Sequence, residues 1–74
     1  MTARWYIVSS GMLQNELDFW TGDGWRGRIT KAQQFASMQD AVTEMKKGGS
    51  KKMRDAGLLM IDASALKFWE ENFN

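Results

Sequence analysis

Residues 17–28 read LDFWTGDGWRGR, and this stretch, Leu17–Arg28, decides how the chain folds. It places two tryptophans, three glycines and two arginines within a dozen residues. Glycine permits tight or left-handed backbone that other residues avoid. Tryptophan is large and is enriched where one protein contacts another. The stretch therefore predicts either a turn that folds back under a small core or a set of rings presented to a partner.

Two strands are predicted in the first part of the chain, ahead of the glycine-rich turn. Leu17–Thr21 predicts the strand that leads into Gly22–Gly24, after which the chain is expected to extend again at Trp25. Trp5–Val8 is aromatic and β-branched, which predicts an earlier strand. The two strands are joined by a turn around Gly11–Asn15, and their closeness in sequence favours an antiparallel hairpin.

The main helix is predicted to begin after Ser37. Asp40 follows that serine by three residues, in an aspartate form of the capping box. Apolar residues then recur at helical spacing to form one stripe: Met38, Ala41, Val42 and Met45. Gly48-Gly49 is typical of the end of a helix.

A third strand and a second helix complete the expected fold. Leu58–Ile61 predicts the strand, and Ser64 is a candidate cap for a helix over Ala65–Phe73, in which Leu66, Trp69 and Phe73 share a face. The expected class is α+β in the order β-β-α-β-α, with residues 1–74 forming one domain. A three-stranded, mainly antiparallel sheet packs on one main helix, and the C-terminal helix is short.

Composition argues against several classes of function. The chain has no cysteine and no histidine, which removes thiolate ligands, the commonest zinc ligands and the usual general base at neutral pH. Its serines have no histidine to activate them, and the glycine-rich turn matches neither phosphate-binding pattern. We therefore expect no catalytic residue, no metal, no cofactor and no enzyme activity. No apolar run approaches a membrane span, so a soluble, cytoplasmic protein without a membrane partner is expected.

Alternation along the strands predicts a sheet that is apolar on both faces. Tyr6 and Val8 point to one face, while Trp5 and Ile7 point to the other. Because the main helix covers only one face, the second must meet the C-terminal helix, a second copy of the chain or a partner. If Phe19 faces the core, Trp20 lies on the second face beside Trp5 and Ile7.

The aromatic residues are the strongest candidates for a partner-binding site. Trp20, Trp25 and Arg26 combine large rings with an arginine, as interface hot spots do, and Trp69 is a further candidate. In so small a chain most tryptophans are expected to be structural, with Trp25 the most exposed of the four.

A basic run, KKGGSKKMR, supplies the alternative site. Its cations could follow a phosphate backbone while a tryptophan stacks on bases: Lys46, Lys47, Lys51, Lys52 and Arg54. The same composition is typical of a solvated connection between a helix and a strand, and the net charge of +1 favours no particular partner.

The order WYIV, FWTGDGW and KAQQFASMQDAV resembles a recurrent type of short phage and prophage open reading frame. The resemblance covers Arg4–Met45, including the step from Ala32 to Phe35 and the helix capped by Ser37. It implies an aromatic hairpin followed by a capped helix, and a small protein that binds and redirects a host protein. The leading hypothesis is thus a non-catalytic protein-binding module that inhibits or modulates a host or phage protein by occlusion. The alternative is a small nucleic-acid-binding protein, and a homodimer is compatible with both.

Overall fold

The computed structural model describes residues 3–10, 17–48 and 50–72. Within them, four strands form one antiparallel sheet in the spatial order β3-β2-β1-β4. The strands are β1 (Ala3–Ser10), β2 (Leu17–Trp20), β3 (Trp25–Arg26) and β4 (Gly57–Asp62). The three predicted strands are confirmed, whereas the count of three is wrong. The chain does extend again at Trp25, and there it pairs with β2 as a fourth strand of two residues.

The turn between β2 and β3 is closed by Thr21. Its backbone N–H donates to the Gly24 carbonyl at 2.9 Å, and its hydroxyl contacts the same carbonyl and the Asp23 carboxylate. Gly22 has a φ of +107°, a conformation that side-chain-bearing residues rarely adopt. The glycine-rich stretch therefore forms a tight turn, while the turn predicted around residues 11–15 lies outside the described residues.

Helix α1 (Met38–Lys47) begins as the sequence predicts, because the Ser37 hydroxyl accepts the N–H of Asp40 at 3.2 Å. It ends at Gly48. Ser50 then caps a four-residue helix, α2 (Lys51–Arg54), by accepting the N–H of Met53 at 3.1 Å. The basic run is therefore helical at both ends and is not simply a glycine-serine loop.

Helix α3 (Leu66–Asn72) follows directly on a 3₁₀ turn, Ala63–Ala65. The C-terminal helix is confirmed, but Ser64 lies inside that turn and is not the cap we predicted. Phe73, expected on the inner face of the helix, lies outside the described residues. An earlier 3₁₀ turn, Ile29–Lys31, joins β3 to the segment that precedes α1.

Each face of the sheet has its own hydrophobic cluster. The Tyr6 cluster comprises Tyr6, Phe19, Ile29 and Ile61, and Leu66 and Trp69 of α3 pack on it. The Ile7 cluster comprises Ile7, Phe35, Ala41 and Met53, which joins the sheet to α1 and α2. The second face is therefore covered by the chain's own C-terminal helix, as one of the three predicted alternatives had it.

Trp20 does not lie on the second face, the one that the main helix leaves uncovered. Phe19 faces α3, while Trp20 shares its face with Trp5 and Ile7, as alternation predicts. That shared face is the one under α1. The sequence could not distinguish the two arrangements because both faces of β1 and β4 are apolar. Among the described residues, no helix is long and apolar enough to cross a membrane.

Candidate functional site

Trp20 and Trp25 lie opposite one another on β2 and β3. Their ring centroids are 5.5 Å apart with an interplanar angle of 63°, and both pack against the Ile7 cluster. The indole N–H of Trp20 also donates to a carboxylate oxygen of Glu44 on α1, at 3.1 Å. Trp25 is half-buried, as are the other three tryptophans, so it does not stand out as the exposed ring that we expected.

The other two predicted contact residues lie on the opposite face. Arg26 pairs with Phe19 across the strands and therefore shares the face of the Tyr6 cluster. Trp69 packs against that same cluster from α3. The sheet thus separates Arg26 from Trp25, and the four proposed partner-binding residues do not form one surface.

Lys52 joins the basic run to the tryptophan pair. Its ammonium lies 5.2 Å from the centre of the Trp25 ring and 2.7 Å from a carboxylate oxygen of Asp18. An ammonium over an indole face is attracted by the ring quadrupole. This contact anchors α2 to β2 and β3, so the structure gives Lys52 a structural role that sequence spacing alone does not reveal.

The other four cations of the basic run are exposed at the end of α1 and on α2. They divide into two pairs of the same charge: Lys46 and Arg54 line a cleft, whereas Lys47 and Lys51 are not among the residues that line it. Because the two pairs carry the same charge, substitutions in each pair change the net charge equally but only one pair alters the cleft.

The cleft is an apolar depression between α1, α2 and the start of β4. It has a volume of about 510 Å³, and its apolar lining comes from α1, α2, the residue before β4 and β4 itself: Val42, Met45, Met53, Ala56 and Leu58. The Lys46 and Arg54 side chains complete the lining. Its volume lies within the range of roughly 300–1,000 Å³ that is common for ligand pockets. An apolar depression with cations in its wall can hold an apolar group that carries a neighbouring negative charge.

Gly48 and Met53 determine the shape of this cleft. Met53 is 1% exposed, and a β-carbon added at Gly48 would lie 2.6 Å from its Cγ and 3.1 Å from its Cβ. The absence of a side chain at Gly48 therefore lets the end of α1 approach α2 closely. The cleft was missed from the sequence because its residues come from three separate elements. One local signal for α2, which forms a wall of the cleft, was present in the sequence: Ser50 stands three residues before Met53, the spacing of a helix cap.

A second, polar depression of about 430 Å³ lies beside the β2–β3 turn. Its cations are Arg26, Arg28 and Lys31, and Thr21 and Asp23 complete the polar lining. All three cations are exposed. It lies apart from the apolar cleft, since the two share no lining residue.

Tyr6 lines neither depression. Burial raises the pKa of Tyr6 above its usual 10.0, and the nearby Glu70 carboxylate acts in the same direction. No group of three or more acidic, histidine or cysteine residues close enough to hold a metal ion occurs in the described ranges. Comparisons of the chain with protein-family models, curated proteins and solved structures find no match.

Proposed function

We propose that this chain is a non-catalytic protein-binding module whose contact surface is the apolar cleft between α1, α2 and β4. The partner inserts an apolar side chain among Val42, Met45 and Leu58, and an acidic side chain beside it meets Lys46 and Arg54. The observation that carries the proposal is this combination of an apolar lining with two cations in one concave surface.

Binding energy at protein interfaces is concentrated in a few apolar or aromatic anchors that fill such pockets. Charges at the rim contribute chiefly to orientation and to the rate of association. The cleft offers both contributions at one place, whereas Trp20 and Trp25 are already occupied by packing within the molecule.

The resemblance to short phage and prophage open reading frames supplies the biological context of the proposal. In that context the module acts by occlusion. Once a side chain of the host or phage protein is anchored in the cleft, the rest of the domain covers the surface around it. No chemical step is required, which fits a chain without histidine or cysteine.

Selection of displayed random peptides on the purified protein tests this proposal without a known partner. We expect enrichment of peptides in which a large apolar residue lies next to aspartate or glutamate. The double variant K46E/R54E should lose the selected peptides because it places acidic groups in the cleft wall.

The matched control is K47E/K51E. It makes the same change of net charge at exposed positions that do not line the cleft, so it should retain the peptides. The proposal is wrong if the enriched peptides share no apolar–acidic feature, or if both double variants lose them equally.

Nucleic-acid binding is the second candidate, favoured by one observation: the exposed cations of the basic run are gathered on two consecutive helices. Binding to a phosphate backbone depends mainly on the number of cations and weakens steeply with salt. A single-stranded oligonucleotide should therefore lose affinity to a similar degree in K46E/R54E and K47E/K51E. Tight, salt-sensitive oligonucleotide binding with that equal loss would favour this candidate over the protein-binding one.

A further inference from the structure

Strand β4 forms an edge of the sheet, next to β1 alone. The hydrogen bonds of Trp5, on β1, identify which backbone groups of β4 face outward. The N–H and C=O of Trp5 are bonded to the C=O and N–H of Phe35, both at 2.9 Å, on the side of β1 away from β4. Because the bonding side alternates along an antiparallel strand, Arg4, Tyr6 and Val8 are the β1 residues that bond β4.

The partners of those three residues in β4 are Ile61, Leu59 and Gly57. The intervening residues of β4, Leu58, Met60 and Asp62, therefore direct their N–H and C=O groups away from the sheet. No other described strand lies on that side. This edge thus offers three evenly spaced residues, each with a donor and an acceptor.

Apart from the charged Asp62 at its end, the edge lacks the features by which proteins usually prevent strands from pairing. Edge strands are commonly protected by lysine, proline or a bulge. β4 reads GLLMID, without lysine or proline, and its six residues pair with β1 in unbroken register. Met60, at the centre of the strand, is 54% exposed, so its side chain is available for contact beside this edge.

Two copies of this edge are complementary to each other. In an antiparallel arrangement centred on Met60, each Leu58 lies opposite the partner's Asp62, and the two Met60 residues lie opposite each other. Every outward N–H and C=O of the three residues then meets a counterpart, and the exposed methionines pack together. In the same arrangement, Asp62 at the end of one β4 lies beside the start of the other β4, which follows the basic helix α2. The net charge of +1 gives little repulsion between copies.

We propose that the chain forms a symmetric dimer by antiparallel pairing of β4 with β4 of a second copy, which continues the sheet to eight strands. This interface differs from the sheet-face dimer considered from the sequence, because α3 covers that face. It is also independent of the apolar cleft as a binding site.

Mass measurement by light scattering over a range of concentrations up to millimolar provides the first test. The unmodified protein should reach twice its chain mass, and M60K should remain at the monomer mass because lysine charges would lie opposite each other. M38K is the matched control: Met38 is 51% exposed on α1 and is not a residue of β4, so M38K should dimerise normally. A protein that stays monomeric throughout, or an M60K variant that dimerises as well as M38K, would overturn the proposal.

Single-cysteine oxidation tests the register itself, since the chain has no cysteine of its own. Directly opposed residues in a hydrogen-bonded antiparallel pair have Cα atoms about 5.5 Å apart, within the roughly 4.4–6.8 Å that a disulfide spans. M60C should form covalent dimers much faster than M38C under the same mild oxidation. Equal rates for the two variants would contradict pairing centred on Met60, whatever the outcome of the peptide selection.

Discussion

The two faces of the sheet are built from alternate residues of the same strands, yet they differ in which side chains they bury and in what borders them. On the α3 side, the Tyr6 cluster holds two aromatic residues that are fully buried, Tyr6 and Phe19. On the α1 side, the Ile7 cluster is bordered by polar contacts that include Trp20 with Glu44 and Lys52 with Asp18. The apolar cleft opens on that side as well.

The difference shows how so small a chain can combine a stable fold with a binding surface. The face under α3, here the closed face, buries Tyr6 and Phe19, and this burial stabilises the domain. The face under α1, here the open face, keeps part of its apolar surface accessible beside Lys46 and Arg54. Substitutions should therefore affect stability most on the closed face and binding most on the open one.

Truncation of a ring on each face should produce the largest contrast. Phe19→Ala removes a fully buried ring and should lower the free energy of unfolding by about 3–5 kcal/mol. Trp25→Ala removes a half-buried ring and should cost less, about 1–2 kcal/mol. Urea denaturation followed by circular dichroism measures both. Equal losses would mean that the two faces contribute alike to the core.

A methyl group at Gly48 should disturb the open face alone. Gly48→Ala forces the buried Met53 side chain to shift, and we expect a loss of about 1–3 kcal/mol. Gly57→Ala is the control: no atom lies within 4 Å of the added carbon, so its effect should stay within about 0.5 kcal/mol. If the two variants are equally stable, the close approach of α1 and α2 does not shape the cleft.

Alkaline pH should weaken the closed face through Tyr6. Its pKa is raised in the folded protein, so between the unfolded value near 10 and the folded value the unfolded chain binds fewer protons. The contribution is fully present below pH 10 and is lost as pH rises, by at most about 1.4 kcal/mol per pH unit. Tyr6→Phe should lack this part of the decline when unfolding is compared at pH 9 and 11. Parallel declines in both proteins would contradict the assignment.

The contact of Lys52 should give the smallest effect. Lys52→Gln removes an ion pair with side chains 40% and 28% exposed and an exposed cation–π contact, so we expect a loss of no more than about 1 kcal/mol. The loss should shrink at high salt. Lys51→Gln, at the neighbouring exposed position, should have no effect, and a similar loss in that variant would show that net charge is responsible.

The local parts of the fold were predictable because their signals are local. The cap at Ser37 and the three longer strands were confirmed. Of the apolar stripe of α1, Ala41 and Met45 pack in the Ile7 cluster, whereas Met38 is exposed. β3 has only two residues, too few to show alternation. Helix α2 was not predicted, because four of the nine residues in KKGGSKKMR are lysines and such a charged run is typical of a solvated connection. The cap at Ser50 is the local signal for this helix.

The tertiary parts were not predictable in the same way. Phe19 and Trp20 are both aromatic neighbours on β2, so nothing in the strand itself says which one faces α1. The contact of Lys52 with Trp25 joins positions far apart in sequence. The cleft likewise depends on how α1, α2 and β4 meet, which only the assembled fold defines.

The most direct test of the open face as the binding surface is a two-dimensional amide NMR titration of the isotope-labelled protein with a peptide recovered in the selection. The account predicts shift changes centred on the cleft, at Val42, Met45, Met53 and Leu58, and no such changes in K46E/R54E. Changes centred instead on Trp69 and the Tyr6 cluster, or on Arg26, Arg28 and Lys31, would contradict it.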